Sequence, residues 1–327
     1  MDKNVIVTGG AGYIGSHVCK KLYQERYNPI SIDNLSRGNK TLVKWGPLYV
    51  QDIRDYQKIK KIINEHMPIG VIHLAAFAYV DESIRRPLMY YDNNIQGGFS
   101  LIRAMIDCDV KKMVYSSSCS VYGIPANVPI SENCKLGPIN PYGKTKLIFE
   151  QVLDDLANFG DLDYISLRYF NAAGADPEME TGELHIPETH LIPLAIKASI
   201  NDSNPLTING IDHPTSDGTC IRDYIHVSDL AKAHVLALKK LLLPEKYKSR
   251  NINLGTGEGY SVFEIIRKIE ELTGKQVNYI IGNRRKGDPP KLVADISLGK
   301  KYLKWSPELS DLESIIATAI DWDRLQD

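Results

Sequence analysis

Residues 4–19 read NVIVTGGAGYIGSHVC, and the rest of the chain can be placed from them. Val5-Ile6-Val7 is a β-branched run of the kind that forms a buried strand. Gly9, Gly12 and Gly15 follow at three-residue spacing, ahead of a helix predicted over 12–25. Glycines there permit a tight turn and let backbone approach a ligand closely. The helix start offers unpaired N–H groups and a positive dipole end, which suit a pyrophosphate. Asp33 lies 21 positions after Gly12, at the end of the second predicted strand. A carboxylate there can accept from both ribose hydroxyls and repels a 2′-phosphate, so the pattern points to NAD rather than NADP. Arg37, nearby, pulls the other way, because it could meet such a phosphate.

Working outward, strands are predicted at 29–33, 48–51, 70–74, 112–117 and 164–169, alternating with helices at 56–66, 89–107 and 141–159. Strand–helix alternation implies crossover connections and a parallel sheet. The expected fold is α/β: a Rossmann-type doubly wound parallel sheet, with a smaller mixed α/β C-terminal substrate lobe. The expected division is a dinucleotide-binding domain over 1–173, joined by parts of 217–243, and a lobe over 174–327 that need not be contiguous. Within the second half, 176–189 reads as a loop, 191–201, 227–242 and 261–273 as helices, 251–255 as a strand and 282–290 as a charged loop. A last helix runs from about 310. The predicted strand ends are rich in small and polar groups, where ligands of such sheets sit.

The 327 residues are 43% hydrophobic, enough for a large core, and the net charge is −1. That balance gives no general pull toward nucleic acid or an anionic membrane. Five scattered cysteines with no C-x-x-C pair argue against disulfides and a zinc site and fit a cytoplasmic protein. No metal-ligand set is read from the sequence. No signal peptide and no membrane-spanning apolar run are read.

Tyr142 and Lys146 stand four apart in PYGKTK, after Asn140 as N-cap and Pro141 as first helical residue. That spacing puts phenol and ammonium on one helix face. A free tyrosine titrates near about 10 and is a poor base at neutral pH. A neighbouring ammonium favours the phenolate, so the pair can act as a proton acceptor. Ser118, in the run Ser116-Ser117-Ser118 after the fifth strand, could hold a substrate hydroxyl and relay its proton. The bland alternatives are a solvated helix face and a run of small turn residues. No His/Asp partner pattern makes Ser118 a nucleophile.

Together these residues resemble the extended short-chain dehydrogenase/reductase family, and within it the UDP-glucose (UDP-galactose) 4-epimerases. The resemblance is carried nearly end to end by VTGGAGYIGSH (7–17), DNLSRG (33–38), ESIRRPLMYYDNN (82–94), SSSCSVYG (116–123), PYGKTK (141–146), RYFNAAGAD (168–176), PETHLIP (187–193), DGTCIRDYIHVSDLA (217–231), NLGTGEGYSV (253–262) and RRKGDP (284–289). It implies a UDP-sugar isomerase with NAD as a recycled cofactor, Tyr142 taking the 4-hydroxyl proton, and a 4-keto sugar that turns before reduction on its other face. It implies cofactor contacts from Gly9, Gly12, Tyr13, Ile14, Gly15, Asp33, Asn34, Leu35, Asp52, Ile53, Leu74, Ala75, Ala76, Asn93, Ser116, Tyr142, Lys146, Tyr169 and Phe170. For the substrate it implies Ser118, Tyr142, Asn171, His190, Leu191, Arg222, Arg285, Asp288 and Leu292, with the arginines clamping phosphates. It also implies a homodimer formed through 89–107 and 141–159.

Three positions depart from the family pattern. Ala78 replaces a lysine that reaches the cofactor, Asn209 stands where an aromatic ring often meets uracil, and Leu292 is of intermediate bulk where the sugar C2 substituent is limited. Epimerases of UDP-N-acetylhexosamines, UDP-pentoses or UDP-uronates stay open as alternatives. A dehydratase is disfavoured because Cys119-Ser120 offers no carboxylate beside Ser118. A non-catalytic NAD-binding protein would be expected to lack Tyr142 or Lys146.

Overall fold

The computed structural model describes residues 3–200, 204–244, 250–285 and 288–326. Its centre is a seven-stranded parallel sheet of β1 (Asn4–Thr8), β2 (Asn28–Asp33), β3 (Leu48–Val50), β4 (Gly70–His73), β5 (Lys112–Ser116), β6 (Asp163–Tyr169) and β11 (Arg250–Leu254). The spatial order is β11-β6-β5-β4-β1-β2-β3, so the order in which strands are added switches sides between β1 and β4, all strands staying parallel. Successive strand residues face opposite ways. Val5, Val7, Ile72 and Val114 accordingly join one core, and Ile6, Val71 and Met113 the other. Both faces being covered explains the apolar strands.

On the first face α1 (Tyr13–Gln24) packs beside α8 (Val227–Leu241), burying Val18, Leu22, Leu230 and Leu238. On the second face α2 (Tyr56–His66), α5 (Gly97–Asp107) and α6 (Pro141–Phe159) bury Ile59, Ile63, Leu101, Met105, Phe149 and Leu153. Burying each such side chain contributes about 1.5–3 kcal/mol.

Two sequence expectations change. The predicted helix over 89–107 is present without a gap, but a π-helical stretch runs through its middle. Two short helices, α3 (Val80–Arg85) and α4 (Pro87–Tyr90), lead into a π-helical turn over Tyr91–Gln96, and only then into α5. The wide turn re-aims Asn93 and Asn94 inward. Asn94 accepts from the Phe77 N–H at 2.8 Å and donates to the Phe77 carbonyl at 3.0 Å and Thr145 Oγ1 at 3.1 Å. Second, the strand placed with the C-terminal lobe is the edge of the main sheet, paired with β6.

The remaining strands are short: β7 (Asn171–Ala173) pairs with β10 (Tyr224–His226), β8 (Leu206–Asn209) with β13 (Tyr279–Gly282), and β9 (Ile221–Arg222) with both β12 (Tyr260–Ser261) and β14 (Lys291–Leu292). Around them α7 (Leu191–Ile200), α9 (Val262–Thr273) and α10 (Leu312–Arg324) share a third core that includes Ile192, Ile196, Ile265, Ile269 and Ile315. Among the described residues no helix is long and apolar enough to cross a membrane.

Candidate active site

Strand ends and helix starts meet around a cavity of about 330 Å³ on the carboxyl side of the sheet. All the residues expected at the cofactor line it except Leu35, Asp52 and Ser116. At Gly15 a β-carbon would stand 2.0 Å from the Gly9 carbonyl oxygen, so only glycine lets the helix start so close to the turn. At Gly12 an added β-carbon would meet only that same oxygen, at 3.2 Å, and otherwise project into open space. Gly12 caps α1 without a side chain, and the first turn holds no acid. The first-turn N–H groups and the dipole end are therefore free for an anion.

Asp33 is buried, with Oδ2 accepting from the Ala11 N–H at 3.1 Å and Oδ1 from the Leu35 N–H at 2.9 Å. Leu35 thus acts through its backbone. Burial raises the Asp33 carboxyl, while the two N–H groups work against that. Arg37 reaches the cavity wall but is tied to Glu82 Oε1 at 2.6 Å, with its guanidinium 5.1 Å from the Tyr79 ring centre. Its charge is already matched, which removes the argument for a 2′-phosphate. Asp52 is likewise engaged: Arg54 and Asn34 hold its carboxylate, pulled down to about 2 chiefly by the Arg54 hydrogen bond. Gln51 lines the cavity in its stead. These features, a bare helix start facing open space and a carboxylate with spare acceptor capacity, fit a dinucleotide.

The chemistry-bearing side chains come from α6. Asn140 Oδ1 accepts from the Gly143 N–H at 2.8 Å, Pro141 occupies the first turn, and Tyr142, Lys146, Phe149 and Leu153 share the buried face. Lys146 is 3% exposed, and its Nζ donates to the Ser116 carbonyl at 2.6 Å. It stands 5.8 Å from the centre of the Tyr142 ring. Ser116 therefore serves by its backbone, while its hydroxyl pairs with Tyr169 Oη at 2.8 Å.

The expected lowering of the Tyr142 pKa is not what this geometry gives. Burial, followed by the Tyr169 phenol, pushes it well above its ordinary value, and the hydrogen bond with Ser118 works against this. Burial also pulls Lys146 down to about 7, opposed by Glu150. The physical reason is common to both: each charged form has lost its water. Beneath them the buried Glu150–Arg168 pair, 2.7 Å apart, fixes Ser117 and Ser166. Breaking such a pair by removing one partner costs about 3–5 kcal/mol.

A second cavity of about 340 Å³ adjoins the first, and Asn171 and His190 line both. Leu191 lines the second. Arg222, Arg285, Asp288 and Leu292 line neither. Arg222 Nη2 instead pairs with Asp288 Oδ1 at 2.5 Å, and Arg285 reaches toward Asp81 Oδ2 at 3.7 Å. The centre of the RRKGDP motif, 286–287, lies outside the described residues. Asn209 sits half-buried at the end of β8, pairing with Gly282 in the strand register. Sequence reasoning missed Glu183, His185 and Glu188, which line the second cavity. Their alternating spacing with His190 was the available signal.

Residues 5–255 match the model of the NAD dependent epimerase/dehydratase family. The chain belongs to that family. Within the NAD dependent epimerase/dehydratases it is similar to a UDP-glucose 4-epimerase of Rhizobium meliloti (strain 1021), 45% identical over 321 residues, 98% of this chain and 97% of the relative. The crystal structure of UDP-glucose 4-epimerase from Brucella ovis in complex with NAD superposes with a TM-score of 0.94 at 47% identity, covering 98% of each chain. That from Bifidobacterium longum in complex with NAD+ and UDP gives 0.93 at 36% identity, again covering 98% of each.

Proposed function

We infer that this protein is an isomerase that interconverts UDP-glucose and UDP-galactose, with NAD as its cofactor. The similarity to NAD-bound UDP-glucose 4-epimerases over nearly the whole chain supports the activity. The observation that carries the residue roles is that Ser118, Tyr142 and Lys146 line the same cavity as Gly12 and Asp33. The first-turn N–H groups of α1 would hold the pyrophosphate, and Asp33 the adenosine ribose. Ser118 would orient the sugar 4-hydroxyl and Tyr142 Oη would take its proton, returning it later.

Bound NAD supplies a hydride acceptor and, when oxidised, a positive charge in the cavity. A phenol raised by burial gains from every cation added nearby. Lys146 provides one whenever it is protonated, and at about 7 it is poised to change charge near neutral pH. Its bond to the Ser116 carbonyl holds it in place whichever form it takes. In the second cavity Asn171, His190 and Leu191 would contact the UDP-sugar. Arg222, Arg285 and Asp288 would join them only by exchanging their present partners for phosphate and ribose, with Leu292 near the sugar. Asp52 would stay at the adenine end.

The division of labour between a sheet domain over 1–173, with parts of 217–243 and the edge strand β11, and a lobe over the rest of 174–327 belongs to this reading. So does a cytoplasmic setting, where five free cysteines stay reduced. A homodimer through 89–107 and 141–159 is supported by exposed Phe99 and Ile106 on α5 and Phe159 at the end of α6.

The test is incubation of purified protein with UDP-galactose and no added reductant, followed by NMR. UDP-glucose should accumulate to equilibrium. If neither UDP-hexose converts while a UDP-N-acetylhexosamine, UDP-pentose or UDP-uronate does, the substrate assignment falls.

A further inference from the structure

The loop before α7 carries Glu183, His185, Glu188 and His190 within eight residues, and folding brings their heads together. One ligand-type atom from each lies within 4.8 Å of all the others. His185 Nδ1 is 2.6 Å from Glu183 Oε1, and His190 Nδ1 donates to the same oxygen. His190 Nδ1 also lies 3.3 Å from Glu188 Oε1. Two imidazoles and two carboxylates therefore converge on one point.

Three features make this a built arrangement rather than a chance gathering of surface charge. The Glu183 and Glu188 side chains are only 8% and 9% exposed. Glu188 is aimed by its own backbone, Oε1 accepting from the Thr189 and His190 N–H groups at 2.6 and 2.8 Å. The His185 ring is held edge-on between Tyr13 and Tyr79, with ring centres 6.2 and 5.9 Å away. As it stands, protons on the imidazoles bridge the nitrogens to the shared carboxylate oxygen. A single divalent cation placed among the four would replace those protons and satisfy both carboxylates at once.

We propose that Glu183, His185, Glu188 and His190 form a binding site for a divalent transition-metal ion of the zinc class, at the junction of the two cavities. The ligand chemistry selects the metal. Imidazole nitrogen with carboxylate oxygen suits zinc, cobalt or nickel, whereas magnesium and calcium take oxygen alone. The location gives it a consequence. His185 and His190 line the first cavity and all four residues line the second. An ion there would fix His190, one of the proposed substrate contacts, and so should slow turnover. Binding itself does not depend on the proposed activity.

The experiment uses the full chain, without an affinity tag, stripped with chelator and dialysed. Co2+ is titrated in while visible d–d absorption is followed, and Zn2+ is then added in competition. One Co2+ per chain should bind with the intense absorption of a four-coordinate site, and Zn2+ should displace it. His185→Gln and Glu183→Gln should each weaken binding at least about tenfold. Glu188→Gln serves in place of either variant should its metal-free circular dichroism differ from wild type. Absence of stoichiometric binding by the wild type overturns the proposal. So does binding that all folded variants retain undiminished, since the ion would then be held elsewhere, for instance at a cysteine. A failed epimerase assay with metal binding intact would sink the activity reading and leave this one standing.

Discussion

The two adjoining cavities are made in different ways. The first is shaped by backbone: a glycine turn, bare helix N–H groups and strand ends set by the sheet register. The second lies between β7, α7 and α10 and is completed by side chains of an irregular loop, 183–190, that meet only after the loop has folded. Geometry built by repeating βα units is dictated by periodicity and glycine spacing. Geometry built by a loop depends on contacts that no local pattern encodes. Protonation differs in the same sense. Around the first cavity burial rules, taking His17 and His73 down to about 3. In the loop, charge pairing overcomes burial, and Glu183 carries His190 up to about 10.

The sharpest way to break this contrast is Tyr142→Phe. If the strand-end cavity holds the proton acceptor, turnover should fall about 10²–10⁴-fold, while UDP binding by calorimetry is unchanged. Wild-type turnover would remove Tyr142 from its role.

Next in size is backbone shape. Gly15→Ala sets a methyl against the Gly9 carbonyl, and overpacking of this kind costs about 1–3 kcal/mol or more. Gly137→Ala, where nothing lies within 4 Å, should stay within about 0.5 kcal/mol of wild type. Denaturant melts compare the two, and equal values would mean the turn is not constrained as described.

The pH dependence of stability in metal-free protein should show the two regions with opposite signs. His17 and His73 have folded pKa values below their unfolded ones. Between about 6.5 and about 3 the unfolded chain therefore binds more protons, and stability is lost as pH falls. His190 has a folded pKa above its unfolded value. Its contribution is fully present below about 6.5 and is lost as pH rises through about 10. Melting of wild type against Glu183→Gln across this range isolates the second limb, which the variant should show diminished, Glu188 alone then holding His190 up. An unchanged alkaline limb would sever His190 from Glu183.

Smallest is Glu82→Gln. Releasing Arg37 from its 2.6 Å partner should raise NADP affinity slightly while Asp33 keeps NAD preferred. Cofactor titration by fluorescence would detect it, and no change at all would place Arg37 outside cofactor selection.

The sequence made the sheet, its helices and the first cavity legible because each follows from local signals. A β-branched run marked β1, the strand–helix alternation marked β2 to β6, Asn140-Pro141 marked the start of α6, and the four-residue step put Tyr142 and Lys146 on one face. What escaped was set by distant partners. The π-helical turn carries Asn94, whose partners Phe77 and Thr145 lie 17 and 51 positions away in the chain. The Tyr142 and Lys146 shifts follow from burial depth, which spacing does not report. The loop cluster escaped because the alternation of its acids and imidazoles does not report that their heads meet once the loop folds.

The pairing of β11 with β6 bears on how the polypeptide is made. A nascent chain that has emerged only as far as Ala173 carries β6 with an unpaired flank, a template for strand addition by another molecule. The protecting segment arrives roughly eighty residues later, and α8, which covers Val5 and Val7, arrives with it. At ribosomal speeds of about 5–20 residues per second, that leaves several seconds of exposure in each round of synthesis. A fragment cut at that boundary should aggregate rather than fold, and heterologous expression should gain from slower translation or chaperone supply over exactly that interval.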